Sequence, residues 1–150
     1  MEKIALPCSE AQLRHIAEKQ MKELSIDFIK IEPGNNASFG IPDYNITYNN
    51  KPMWIELKLA KKKHNSQLYH SNIRANQKKQ LRKLSKTPDT AAGLLVAKHN
   101  SKDIYAVLFF PEIYGGDFDF DLLIELKIAI KIENIIQAID FFYNSILIRT

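Results

Sequence analysis

The run Trp54-Ile55-Glu56-Leu57-Lys58 constrains the fold of this chain more than any other segment. Bulky apolar and charged residues alternate with a period of two, which is the signature of a β-strand. On such a strand Glu56 and Lys58 leave the same face about 7 Å apart, while Ile55 and Leu57 point to the opposite, buried side. Met53 to Ala60 is therefore read as a strand and Asp43 to Tyr48 as its hairpin partner. Asn49-Asn50-Lys51-Pro52 joins them, because Asn-Asn tolerates the positive φ of hairpin turns. Gly40 permits a sharp backbone entry, and Pro42 fixes φ just before Asp43. If Asp43 lies on the partner strand and faces the same way, the hairpin gathers two carboxylates and one ammonium group.

The remaining elements follow from periodicity and punctuation. Ser9 is an N-cap, with Gln12 completing a capping-box pattern, and Leu13, Ile16, Ala17, Met21 and Leu24 recur at helical spacing. A helix is expected from Glu10 to about Leu24, then a short strand from Asp27 to Glu32, then a break at Pro33-Gly34-Asn35-Asn36. Residues 61–72 are polar and read as a loop. A basic helix follows from about Ile73 to Leu84, with Thr87-Pro88-Asp89 ending it. Strands are expected at Ala92–Lys98 and Ile104–Phe110, separated by a turn at His99–Lys102. In the last third, Leu122, Ile124, Leu126, Ile128, Ile130 and Ile132 alternate with charged residues, which predicts one long or two short strands. The closing helix, Asn134 to about Ile146, is apolar nearly all round. It is therefore either deeply buried or paired with another subunit.

This order of elements predicts one α/β domain over 1–150, in which a helix and a hairpin-bearing sheet precede a crossover helix and further strands. The 150 residues suffice for one substantial core. No apolar run reaches the ~18 residues of a membrane span, and no signal-peptide pattern opens the chain. With one cysteine, Cys8, an internal disulfide or a cysteine-rich zinc cluster is excluded. A cytoplasmic location is expected, or a nuclear one in a eukaryotic cell. The formal net charge is +4, and its distribution says more than its size. Lys61, Lys62, Lys63 and His64 follow the acidic pair, and Lys78, Lys79, Arg82, Lys83 and Lys86 crowd the basic helix. Asp117, Asp119, Asp121 and Glu125 make the last third acidic. A lysine run is often only a solvated face, but beside paired carboxylates it also suits a phosphate backbone. Lys61, Lys62, Lys63, Lys78, Lys79 and Arg82 are the candidate DNA contacts.

Two hard oxygen ligands suit magnesium or manganese, and a nearby ammonium can hold a water or stabilise negative charge. Alone, Asp43 is an ordinary turn aspartate and Glu56–Lys58 an ordinary surface pair worth well under ~1 kcal/mol. Together they form a candidate phosphodiester-hydrolysing set. Lys58, crowded by carboxylates, is expected to stay charged and to act electrostatically, or merely to balance the two acids. His64 and His70 lack metal-ligand spacing and read as residues of a solvated loop. Cys8 reads as structural, and no Gly-rich phosphate loop occurs.

Ser9-Glu10-Ala11-Gln12, Gly40 to Asp43, Trp54 to Lys58 and Gln77 together resemble the PD-(D/E)XK nuclease superfamily, and within it the VRR-NUC group in its minimal form. The resemblance covers about the first two-thirds of the chain. It implies a restriction-endonuclease-like core (αβββαβ) with a C-terminal strand-helix extension. It also implies Asp43 and Glu56 as metal ligands, joined by the Leu57 carbonyl and by Glu10, with Glu18 the competitor for that last place. Gln77 would touch the site or the scissile strand. The implied activity is a magnesium- or manganese-dependent DNA endonuclease acting on branched DNA such as a four-way (Holliday) junction, as a homodimer. A restriction-type or flap-directed nuclease is the nearest alternative. A catalytically idle nucleic-acid-binding protein of the same fold is the rival from another class. The last third supplies either a dimer interface or the completion of the monomer core.

Overall fold

The computed structural model describes residues 9–31, 40–110 and 116–149. The readings made for Cys8, for the break at 33–36 and for the end of the first strand at Glu32 fall outside them. Its elements are α1 (Glu10–Glu23), β1 (Phe28–Lys30), β2 (Tyr44–Tyr48), β3 (Lys51–Lys62), β4 (Tyr69–His70) and α2 (Ala75–Ser85). They continue with β5 (Ala91–Lys98), β6 (Ile104–Leu108), β7 (Asp117–Phe118), α3 (Phe120–Glu125), β8 (Ala129–Ile132) and α4 (Ile135–Arg149). The main sheet runs β1-β2-β3-β5-β6-β8, with β4 paired to β3 and to β7. Only β3 and β5 run parallel within it, joined by the crossover that contains α2. This is the mixed α/β arrangement expected of a restriction-endonuclease-like core.

The hydrophobic pattern explains the layering. Leu13, Ala17 and Met21 of α1 are buried with Ile55 and Leu57 and with Ile135, Ala138, Ile139, Phe142 and Ile146 of α4. Helices α1 and α4 thus cover one face of the sheet. Leu81 of α2 and Phe120 and Leu123 of α3 pack with Leu94, Val96 and Val107 on the other. Helix α4 completes the core along most of its length, and only Leu147 and Ile148 near its end are large exposed apolar residues. Gly93 makes this possible, since a Cβ there would lie 2.3 Å from the Phe142 ring. Among the described residues no helix is long and apolar enough to cross a membrane.

The structure corrects several local readings. The hairpin loop is Asn49-Asn50 alone, at φ 49° and 63°, and Tyr48 pairs with Lys51. Lys51 and Pro52 therefore belong to β3. Pro52 sits opposite Thr47, one residue before the β5 ladder begins at Met53, where a missing N–H breaks no sheet bond. The stretch 61–72 is not all loop: Lys61 and Lys62 end β3 and pair with His70 and Tyr69. His70 is accordingly a strand residue, and its Nδ1 lies 2.6 Å from Asp117 Oδ1.

The largest correction concerns 122–133, expected as strand. Phe120–Glu125 is helical and only Ala129–Ile132 is strand. The Asp119 carboxylate accepts the Leu122 N–H at 3.2 Å, capping the helix start. At the far end Lys127 takes φ 61°, while the N–H groups of Lys127 and Ile128 return to the carbonyls of Ile124 and Leu123. This pair of bonds is a Schellman closure. Phe120 and Leu123 are buried, whereas Leu122, Ile124 and Leu126 remain exposed. Apolar residues on the solvent side thus turned a one-turn helical spacing into an apparent period of two.

Candidate active site

The site lies where, among the described residues, β3 lacks a neighbouring strand on one side. The β2 ladder along β3 ends at the Tyr44–Ile55 pair, and β4 takes up β3 only at Lys61. Between them, residues 56–60 stay paired to β5 on one side and leave a notch on the other. Asp43 is not on the partner strand, as expected, but immediately before it. Its side chain continues the ladder instead of its backbone: Asp43 Oδ2 accepts the Leu57 N–H at 2.8 Å. The fixed hairpin register thereby sets Asp43 beside Glu56.

Glu56 and Lys58 share a face, as the alternation requires, but that face is not solvated. Their residues are 4% and 5% exposed because α2 lies over them. The buried Gln77 of α2 is the clasp. Its Oε1 accepts from Lys58 Nζ at 3.0 Å and from the Arg74 N–H at 3.0 Å, and its Nε2 donates to Glu56 Oε1 at 3.1 Å. Lys58 Nζ also donates to the Asn72 carbonyl at 3.1 Å and lies 3.8 Å from Glu56 Oε1. A buried pair held this way is unlike the surface pair weighed from sequence, since charged groups survive burial only when partnered.

Burial is the largest influence on Glu56 and the neighbouring Asp43 carboxylate the next, while Lys58 pulls the other way. Together they push Glu56 up to about 8, and Glu10 adds in the same direction. Two carboxylates too close for both to ionise comfortably form a site that favours an added cation. Among the described residues no three His, Cys, Asp or Glu side chains stand close enough to form a metal cage by themselves. The carboxylates at hand are therefore those of Asp43 and Glu56, with Glu10 the weakest of the influences on Glu56. Glu18 is otherwise engaged: its Oε2 accepts from the Tyr44 hydroxyl at 2.8 Å and lies 3.7 Å from Lys30 Nζ.

Sequence reading missed Arg14. One turn after Glu10 and one turn before Glu18, it reaches Asp43 Oδ1 with Nη2 at 3.2 Å. The only sequence signal was this shared helix face, which one arginine in a polar helix does not make conspicuous. The Asn72 carbonyl was also missed, since a backbone acceptor has no side-chain signature.

Gly40 holds the clasp in place from behind. At φ 70°, it packs so closely on α2 that a Cβ would lie 2.4 Å from the Asn76 carbonyl group and 2.6 Å from the Gln77 nitrogen. Gly40→Ala is expected to cost about 2 kcal/mol, combining left-handed strain with displacement of the first turn of α2. Thermal melts check this; an unchanged Tm would remove Gly40 from the site's support.

The basic residues lie around this notch unequally. Lys61, Lys62 and Lys63 are exposed at the end of β3 and just beyond it, and Lys79 and Arg82 are exposed on α2, with Lys78 half-buried. Lys63 is not a bare cation: its Nζ donates to Asp117 Oδ2 at 3.1 Å. His70, and after it Lys63, hold the Asp117 carboxyl below its usual range.

No protein-family model matches the chain, and no curated protein matches it in sequence. Among solved structures, it is similar to Hjc, a Holliday junction resolvase from the archaeon Archaeoglobus fulgidus. Identity is 14%, the alignment covers 73% of this chain and 89% of that chain, and the TM-score is 0.48. So remote a likeness carries no argument about function, which rests on the side chains described above.

Proposed function

We propose that this protein is a divalent-metal-dependent DNA endonuclease of the PD-(D/E)XK type, with the motif residues of the VRR-NUC group. One observation carries the reading: Asp43 and Glu56 converge at the open edge of β3, with Lys58 buried beside them. Oxygen donors of this hardness suit Mg²⁺ or Mn²⁺. Asp43, Glu56 and the Leu57 carbonyl would hold the ion, with Glu10 joining directly or through water. When bound, the ion would lower the pKa of a water and neutralise charge on the scissile phosphate.

The chain's own residues divide the remaining work. Gln77 fixes the Glu56 carboxylate and the Lys58 ammonium through its two amide ends, so neither must reorganise during reaction. Lys58, its Nζ 3.8 Å from Glu56 Oε1, orients the attacking water and offsets negative charge as it develops. Asp43, tied to the Leu57 N–H, keeps one oxygen fixed and turns the other toward the opening. Lys61, Lys62, Lys78, Lys79 and Arg82 track the phosphate backbone on either side, with Lys63 joining by exchanging Asp117 for phosphate. The expected products carry 3′-hydroxyl and 5′-phosphate ends.

The proposed substrate is branched DNA, foremost a four-way junction. One active site per chain and two symmetric strands to cut call for a homodimer on that substrate. Labelled junction, flap and plain duplex of equal length, each incubated with Mg²⁺, test this. Paired nicks near the junction centre are expected. Cleavage of duplex or flap alone would keep the nuclease and discard the junction, while salt-sensitive binding without turnover would favour the idle binding protein.

A further inference from the structure

Arg14 stands where a cation coming to Asp43 would meet a guanidinium already bound there. Asp43 has two oxygens with different duties. Oδ2 is committed to the Leu57 N–H at 2.8 Å, a bond that holds the strand edge together. Oδ1, the oxygen left for an ion, is taken by Arg14 Nη2 at 3.2 Å. The two side chains are 29% and 20% exposed, so the pair sits at the mouth of the notch and the guanidinium has solvent into which to withdraw. Its helix holds it there: Leu13 and Ala17, on either side of Arg14 in α1, are buried against the sheet.

We infer that Arg14 is a resident counter-cation, which neutralises Asp43 in the metal-free protein and must release Oδ1 before a divalent ion binds there. This rests on the metal-site reading of Asp43 and Glu56 and extends it to regulation of that site. The physical case is simple competition. Without Arg14 the acids of the notch keep only Lys58 to offset their repulsion, and a divalent ion relieves more of it on entering. With it, part of that relief is already present, and the ion gains only the difference. Arg14 is thus a positioning residue that sets how much metal the site requires. A lysine at this position keeps the charge but loses the planar fork, so it should compete nearly as well.

The test reads Mn²⁺ binding without DNA, by calorimetry at pH 8, on folded protein. Arg14→Gln is expected to bind Mn²⁺ roughly tenfold tighter than the parent. Arg14→Lys should stay close to the parent. Lys22→Gln, an exposed charge change on the same helix, controls for net charge and should leave affinity unchanged. Asp43→Asn should bind far more weakly than any of these. If Arg14→Gln binds no tighter than the parent while Asp43→Asn loses binding, the counter-cation role is overturned and the metal site stands. If neither the parent nor Arg14→Gln binds Mn²⁺, both readings fail. Should Arg14→Gln prove unstable, Arg14→Met read against Arg14→Lys makes the same comparison.

Discussion

Asp43→Asn is expected to lower metal-dependent DNA cleavage on the order of 10³-fold, corresponding to the ~4 kcal/mol that a metal's charge stabilisation supplies. The substitution separates chemistry from architecture. An asparagine oxygen can still accept the Leu57 N–H that Asp43 Oδ2 accepts at 2.8 Å, so the edge of β3 keeps its bond. The part-exposed ion pair with Arg14 is lost, which costs little at such a position. A melting curve within a few degrees of the parent is therefore expected beside the collapse in rate. Removing the Asp43 charge should also let Glu56 ionise more readily, since that charge is second only to burial in raising it. Initial rates on labelled DNA, with thermal melts of the same preparations, check the pair of outcomes. Cleavage at the parental rate would show that Asp43 holds no part of the reaction.

Glu56→Gln should abolish cleavage and at the same time stabilise the metal-free protein, increasingly so as pH rises. Glu56 titrates near 8 when folded, against an ordinary 4.5. Between those values the folded chain binds a proton that the unfolded chain has released. Stability from this group is therefore fully present below about 4.5 and is lost as pH rises through about 8. Glutamine carries no such penalty: its oxygen can accept from Gln77 Nε2 as Glu56 does at 3.1 Å, and its amide can donate to Asp43. The variant's advantage should be small near pH 5 and reach about 5 °C in Tm near pH 8.5. Melts of both proteins across that range, with EDTA present, read the difference. Parallel curves would mean that Glu56 is not held under strain. An acid kept ready at a cost to stability is the trade expected of a functional site.

The elements that position this site were legible because their signals are local. Alternation over Trp54–Lys58 and the Ser9 cap each act within a few residues and formed where expected, while the hairpin turn formed at Asn49-Asn50, without the Lys51 and Pro52 first assigned to it. Gln77 was reached only through family resemblance; a glutamine in a polar helix has no pattern of its own, and its burial depends on how α2 crosses the sheet. Burial of Glu56 and Lys58 was likewise hidden, because two charges on a strand face look solvated until a helix is laid over them. Arg14 and Asp43 lie on separate elements, and only the finished packing brings them together. The misread 122–126 segment shows the converse: exposed Leu122, Ile124 and Leu126 imitated a strand where Asp119 and Lys127 had set the helix ends, whereas Ala129–Ile132 is the strand expected there.

The most direct measurement is cleavage of labelled four-way junction DNA by the parent protein, with Mg²⁺ or Mn²⁺ against EDTA, and Asp43→Asn run alongside. The account predicts cleavage that requires the metal, leaves 5′-phosphate ends and nearly vanishes in the variant. Cleavage that persists in EDTA or survives Asp43→Asn would contradict it, as would folded parent protein that cuts neither junction, flap nor duplex with either metal.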